Sequence, residues 1–101
     1  MLVEFSIIPL GKGASVGSDV AKVLKIVDNS GLNYKVNPMG TVVEGTWDEV
    51  MALIKKCHQA VLRHGERVVT TVKIDDRKGH RTMIEKKVQS VEKRLHRTLR
   101  K

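Results

Sequence analysis

Asn33-Tyr34-Lys35-Val36-Asn37-Pro38-Met39-Gly40-Thr41-Val42-Val43-Glu44 is the stretch that decides the fold. Pro38-Met39-Gly40 forms a corner: proline presets one backbone angle, and glycine accepts angles that other residues avoid. On either side lie short runs suited to extended chain. The segment therefore reads as two strands, over 33–37 and 41–44, joined by a tight turn. What lies before and after this hairpin then fixes the topology.

Before it, Val3-Glu4-Phe5-Ser6-Ile7-Ile8 partly alternates apolar and polar residues, a strand that Pro9 is expected to close. A small-residue loop runs from Leu10 to Ser18. Val16, Val20, Val23, Leu24 and Val27 then recur at helical spacing, with Ser15 or Ser18 as the starting cap and Gly31 at the stop. After the hairpin, Thr46-Trp47-Asp48-Glu49 is a capping box, in which the Thr46 hydroxyl and the Glu49 carboxylate each satisfy a free backbone N–H. The helix it opens carries Val50, Leu53, Ile54, Cys57 and Val61 on one stripe and ends at Gly65. Val68 to Ile74 is the strongest strand signal, and Asp75-Asp76-Arg77-Lys78-Gly79 turns it. Thr82-Met83-Ile84-Glu85 repeats the capping-box pattern. The last helix sets Ile84, Val88, Val91, Leu95 and Leu99 on a narrow seam.

The order β-α-β-β-α-β plus a further helix predicts an α+β fold. It is the ferredoxin-like plait, an antiparallel four-stranded sheet with two helices on one face and an additional C-terminal helix. The other sheet face is left bare. Apolar residues on it need cover from the third helix or from a second subunit. Together with the apolar seam, this predicts a homo-oligomer.

With 101 residues the chain suits one domain, spanning 1–101. Hydrophobic residues at 41% and charged residues at 30% exclude wholesale disorder. No apolar run approaches the ~20 residues needed to span a bilayer, and the start does not read as a secretory signal. One cysteine excludes an internal disulfide framework and a cysteine-clustered zinc site. A cytoplasmic protein with no membrane partner is the expectation. The charge is unevenly placed. Residues 1–76 hold nine Lys/Arg and nine Asp/Glu, whereas residues 77–101 hold ten Lys/Arg and two Glu, an excess of eight. Such a tail suits an anionic partner or a solvated helix face.

Little in the chain has catalytic potential. Cys57 sits on the apolar stripe and reads as a core residue. His58 reads as a surface or edge residue. His64, His80 and His96 are scattered without metal-ligand spacing. Gly11-x-Gly13 before a helix resembles a phosphate loop only faintly, and Asp75-Asp76 reads as a turn cap rather than a cation site. Three aromatics in no stacking pattern argue against an RNA platform and against specific nucleic-acid recognition. Glu4 and Glu44 stand out, because each interrupts an apolar strand run. In a plait these strands are the central pair, which brings the two carboxylates near each other. With the hydroxyls of Ser6, Thr70 and Thr71 they suit a small polar or cationic ligand.

Four stretches, in order, resemble the thiamine-binding protein family, the UPF0045 or YkoF-like group. They are Glu4-Phe5-Ser6-Ile7-Ile8-Pro9-Leu10-Gly11, residues 37–45 (Asn-Pro-Met-Gly-Thr-Val-Val-Glu-Gly), Trp47-Asp48-Glu49-Val50-Met51, and residues 67–77 from Arg67 to Arg77. The paired motifs S-x-x-P-x-G and P-M-G-T-x-x-E-G are the most specific part. The resemblance implies a ferredoxin-like fold, dimers whose sheets join, often tetramers built from paired dimers, and binding of thiamine or its hydroxymethyl aminopyrimidine half without catalysis. No cofactor is expected beyond that ligand. The residues expected to hold it are Glu4, Ser6, Met39, Gly40, Thr41, Glu44 and Thr70. Glu44 is the first choice for the acid that recognises the aminopyrimidine and Glu4 the second. The competing readings are an ACT-like regulatory sensor on the same plait, and anion or nucleic-acid binding through the basic C-terminal helix.

Overall fold

The computed structural model describes residues 1–11, 17–79 and 83–100. Its elements are β1 (Leu2–Leu10), α1 (Gly17–Asn29), β2 (Asn33–Asn37), β3 (Gly40–Glu44), α2 (Trp47–Leu62), β4 (Arg67–Asp75) and α3 (Met83–Leu95). The sheet runs β2-β3-β1-β4 with every neighbouring pair antiparallel. This is the plait that the element order predicts, with β1 and β3 at its centre.

The period of two along each strand divides the sheet's faces. Val3 and Phe5 of β1 stand opposite Val43 and Thr41 of β3 and point to the α1–α2 side. There they form one core with Val23 and Val27 of α1 and Val50, Leu53, Ile54, Cys57 and Val61 of α2. Glu4, Ser6 and Ile8 point to the opposite face, as does Glu44. The capping box that opens α2 is fully formed. Glu49 N donates to Thr46 Oγ1 at 3.3 Å, and Thr46 N donates to Glu49 Oε1 at 3.0 Å. Those bonds hold the Glu49 carboxyl below its ordinary pKa.

α3 lies on the face that the sequence leaves bare, but covers only one end of it. Ile84 N donates to Glu44 Oε1 at 2.9 Å, and Lys87 pairs with Asp75 at the end of β4. At the far end Ile8, Leu10 and Val69 stay exposed, as do Val91 and Leu95 on the α3 seam. The radius of gyration is 15.1 Å, against about 13 Å for a compact domain of 100 residues.

Several boundaries differ from the sequence reading. Pro9 does not close β1, because the strand continues to Leu10 in register with β4. Backbone N–H and C=O groups of alternate residues point to alternate sides of a strand. Met1 O accepts from Gly45 N at 3.2 Å, which turns the odd-numbered residues of β1 toward β3. The N–H that Pro9 lacks would therefore face away from β4, so no ladder bond is lost. The last helix stops at Leu95, not Leu99. His96 takes a left-handed φ of 55°, and Arg97 N and His96 N bond back to Glu92 O and Lys93 O. This is a Schellman-type stop, after which Glu92 Oε2 accepts from Leu99 N at 2.5 Å. Ser18 lies inside the first turn of α1 rather than capping it. The expected roles of Gly13, Ser15, Val16, His80 and Thr82 fall outside the described residues.

Candidate ligand-binding site

β1 outlasts β3. Their pairing ends at Phe5 opposite Thr41, while β1 and β4 stay paired from Leu2 opposite Asp75 to Leu10 opposite Arg67. Beyond Phe5, the β3 side of β1 is therefore an open strand edge. A cavity of about 270 Å³ occupies that space. Its walls are Phe5 to Ile8 of β1, Val20, Val23 and Leu24 of α1, and Val36 to Thr41 of the β2–β3 hairpin.

Four of the seven residues singled out from the sequence line this cavity: Ser6, Met39, Gly40 and Thr41. Met39 is 89% exposed at the tip of the hairpin. Gly40 makes the fit possible. A Cβ there would stand 3.2 Å from Phe5 O and 3.4 Å from Glu4 Cγ. Glu4 therefore lies along Gly40 on the open face, at the edge of the cavity and exposed.

The other two lie elsewhere. Glu44 is on the same face as Glu4 and is its diagonal neighbour across the β1–β3 pair. Its carboxylate, however, accepts from Asn33 Nδ2 at 3.1 Å and from Ile84 N at 2.9 Å, and the residue is 8% exposed. It sits at the other end of β3, about 13 Å from Gly40 at ~3.3 Å per residue, and holds the start of α3 to the sheet. Thr70 pairs with Ile7 across β1–β4 and points to the helical side. There Thr70 Oγ1 lies 2.6 Å from His58 Nδ1, a bridge between β4 and α2. His58 is thus a half-buried edge residue, in keeping with the sequence reading.

Cys57 is fully buried, and burial pushes its thiol up to about 11. Its Sγ lies 3.9 Å from Val23 O. A thiol so placed is a poor nucleophile. Among the described residues, no cluster of three His, Cys, Asp or Glu side chains is placed to hold a metal, and no helix is long and apolar enough to cross a membrane. Sequence reasoning missed Val20, Leu24 and Asn37, which line the cavity, and Asp19, which is buried in the first turn of α1. The α1 residues are legible as an apolar helix face but not as a roof. Nothing in the sequence says that β3 is shorter than β1 on this side.

A plait with a largely apolar cavity, walled in part by an exposed methionine and bordered by a carboxylate, belongs to the small-molecule-binding proteins. The chain is a member of the thiamine-binding protein family, whose sequence model matches residues 3–92. A UPF0045 protein of Methanocaldococcus jannaschii is 43% identical over 91 residues, covering 90% of this chain and 91% of its own. The crystal structure of a hypothetical protein from that organism superposes with a TM-score of 0.83, at 43% identity, over 89% of this chain and 93% of that one. A UPF0045 protein of Mycobacterium tuberculosis is 41% identical over 96 residues, 94% of each chain. A Thermotoga maritima protein, provisionally described as one of thiamine biosynthesis or salvage, has a crystal structure that superposes with a TM-score of 0.78. It is 26% identical over 89% of this chain and 96% of its own.

Proposed function

We propose that the protein is a non-catalytic binder of thiamine or its hydroxymethyl aminopyrimidine half, and that the cavity at the open edge of β1 is the binding site. The observation that carries this reading is the convergence of Ser6, Met39, Gly40 and Thr41 on that one cavity. The family membership and the thiamine description of the Thermotoga relative support the ligand class. In this reading Met39 and Ile8 cover the ring, the Ser6 hydroxyl on the open face exchanges a hydrogen bond with a polar group of the ligand, and Thr41, turned to the α1–α2 side, closes the cavity from within. Glu4, beside Gly40, offsets the thiazolium charge. Glu44 serves α3 instead. Neither Cys57, with its raised pKa, nor His58, bonded to Thr70, is disposed for nucleophilic or base chemistry, in keeping with a binder rather than an enzyme.

Calorimetry with thiamine tests the assignment. A saturable heat that Glu4→Gln weakens by roughly 10-fold or more, the scale of a charge-assisted contact, is the expected result. Absence of binding up to millimolar thiamine and millimolar aminopyrimidine would remove it.

The same reading includes a homo-oligomer, a dimer of dimers, acting in the cytoplasm. Exposed Ile8, Leu10 and Val69 on the sheet and Val91 and Leu95 on α3 support it, since this much apolar surface is unusual on a free domain of this size. Sedimentation should give a mass several times the 11.3 kDa of one chain, and Leu95→Asp should lower it. A monomer at micromolar concentration would contradict the assembly without touching the ligand.

A further inference from the structure

The open edge of β1 carries a recognition element that no side chain supplies. Odd-numbered residues of β1 aim their backbone groups at β3: Met1 O bonds Gly45 N, and Phe5 O lies where a Gly40 Cβ would meet it at 3.2 Å. Ile7 is the next odd residue. β3 has ended by then, so both the N–H and the C=O of Ile7 face the cavity side with no strand opposite. Ser6 and Ile8 on either side face β4 and belong to its ladder. Pro9, the odd residue after Ile7, has no N–H at all.

We propose that the Ile7 backbone N–H and C=O together read a cyclic amidine edge, meaning a ring nitrogen that accepts beside an exocyclic amine that donates. The ligand class is therefore a planar heterocycle with an amine next to a ring nitrogen, lying in the plane of the sheet as if it were one more strand residue. This inference rests on the reading of the cavity as the ligand site and deepens it. A donor and an acceptor fixed side by side on a strand discriminate by pattern, because a ligand that fails to match leaves a backbone group unpaired away from water. A polypeptide strand is a poor occupant. Pro9 removes the second donor that it would need, and Pro38-Met39 of the hairpin stands across its path.

The test uses the full chain and two probes, hydroxymethyl aminopyrimidine and its analogue with CH in place of the ring nitrogen beside the amine. Wild type should bind the analogue roughly 5- to 100-fold more weakly. Ile7→Pro removes the N–H but leaves the β4 ladder intact, since that N–H faces away from β4. It should bind the aminopyrimidine as weakly as wild type binds the analogue, and should no longer distinguish the two probes. Ile7→Ala keeps the N–H and controls for the side chain: it should still discriminate. The wild-type comparison stands even where Ile7→Pro does not fold. Equal wild-type affinity for both probes, or discrimination by a folded Ile7→Pro, overturns the edge assignment while leaving the cavity as the binding site. No wild-type binding to the aminopyrimidine overturns the ligand reading and the edge assignment with it.

Discussion

The two ends of β3 divide the work of one five-residue strand. At the Glu44 end, an almost fully buried carboxylate gathers a side-chain amide and a helix N–H and so attaches α3 to the sheet. At the Gly40 end there is no side chain at all. The backbones of β1 and the hairpin come close there, and the space beyond stays open to a ligand. From the sequence, Glu44 looked the better binding residue, an acid inside an apolar run. The structure shows why an acid in such a place need not face a ligand: α3 arrives on that face and presents a free N-terminal N–H, the group a carboxylate satisfies best. The glycine marks the cavity and the acid marks the attachment.

Variants at each end can break this contrast. The largest effect is expected from Glu44→Ala. It leaves Asn33 and the Ile84 N–H without their acceptor and should cost about 3 kcal/mol in urea unfolding, with faster proteolysis near α3 and unchanged thiamine affinity. Loss of affinity at full stability would reverse the assignment of the two ends. Gly40→Val should cost about 2 kcal/mol from crowding against Phe5 O, and unlike Glu44→Ala it should lower ligand affinity at least 10-fold by displacing Glu4 and narrowing the cavity. Thr46→Ala removes the α2 cap beside Glu44, and a loss of about 1 kcal/mol is expected, with no change in binding.

The smallest effect concerns acid. Glu49 is held below its ordinary 4.5 by the Thr46 bonds, and Asp75 below 3.8, chiefly by its hydrogen bond to Lys87. Depressed carboxylates contribute stability that is complete above their unfolded values and lost as pH falls through the folded ones. Thermal melts should therefore be flat in this respect down to about pH 5 and decline below 4. Replacing Asp75 with Asn should flatten part of that decline. An Asp75→Asn profile identical to wild type would mean that the Lys87 contact adds nothing to the hold on α3.

The plait was legible because each of its signals is local. The Pro38–Gly40 corner, the Thr46–Glu49 box and the apolar spacing of α2 each depend on a few neighbouring residues, and together they admit few topologies. The cavity was half legible. Ser6, Met39, Gly40 and Thr41 were singled out, but the roof of Val20 and Leu24 and the bare edge at Ile7 follow from the unequal lengths of β1 and β3, a fact of register and not of composition. Thr70 shows the same dependence on register. Its hydroxyl is on the strand, but parity turns it to α2 and His58. Pro9 reads as a stop because proline usually is one, and only the direction of the strand's backbone groups shows that its missing donor lies on the side with no partner.

The unequal strands also leave a mark on solvent exchange. Along one short piece of β1, the amides of Ser6 and Ile8 belong to the β4 ladder, while the amide between them does not. In deuterated buffer the ligand-free protein should show two slowly exchanging amides flanking a fast one at Ile7, although all three residues occupy the same strand and unfold together. A strand is ordinarily protected as a block. Here the protection should alternate residue by residue, reporting the open edge before any ligand is known.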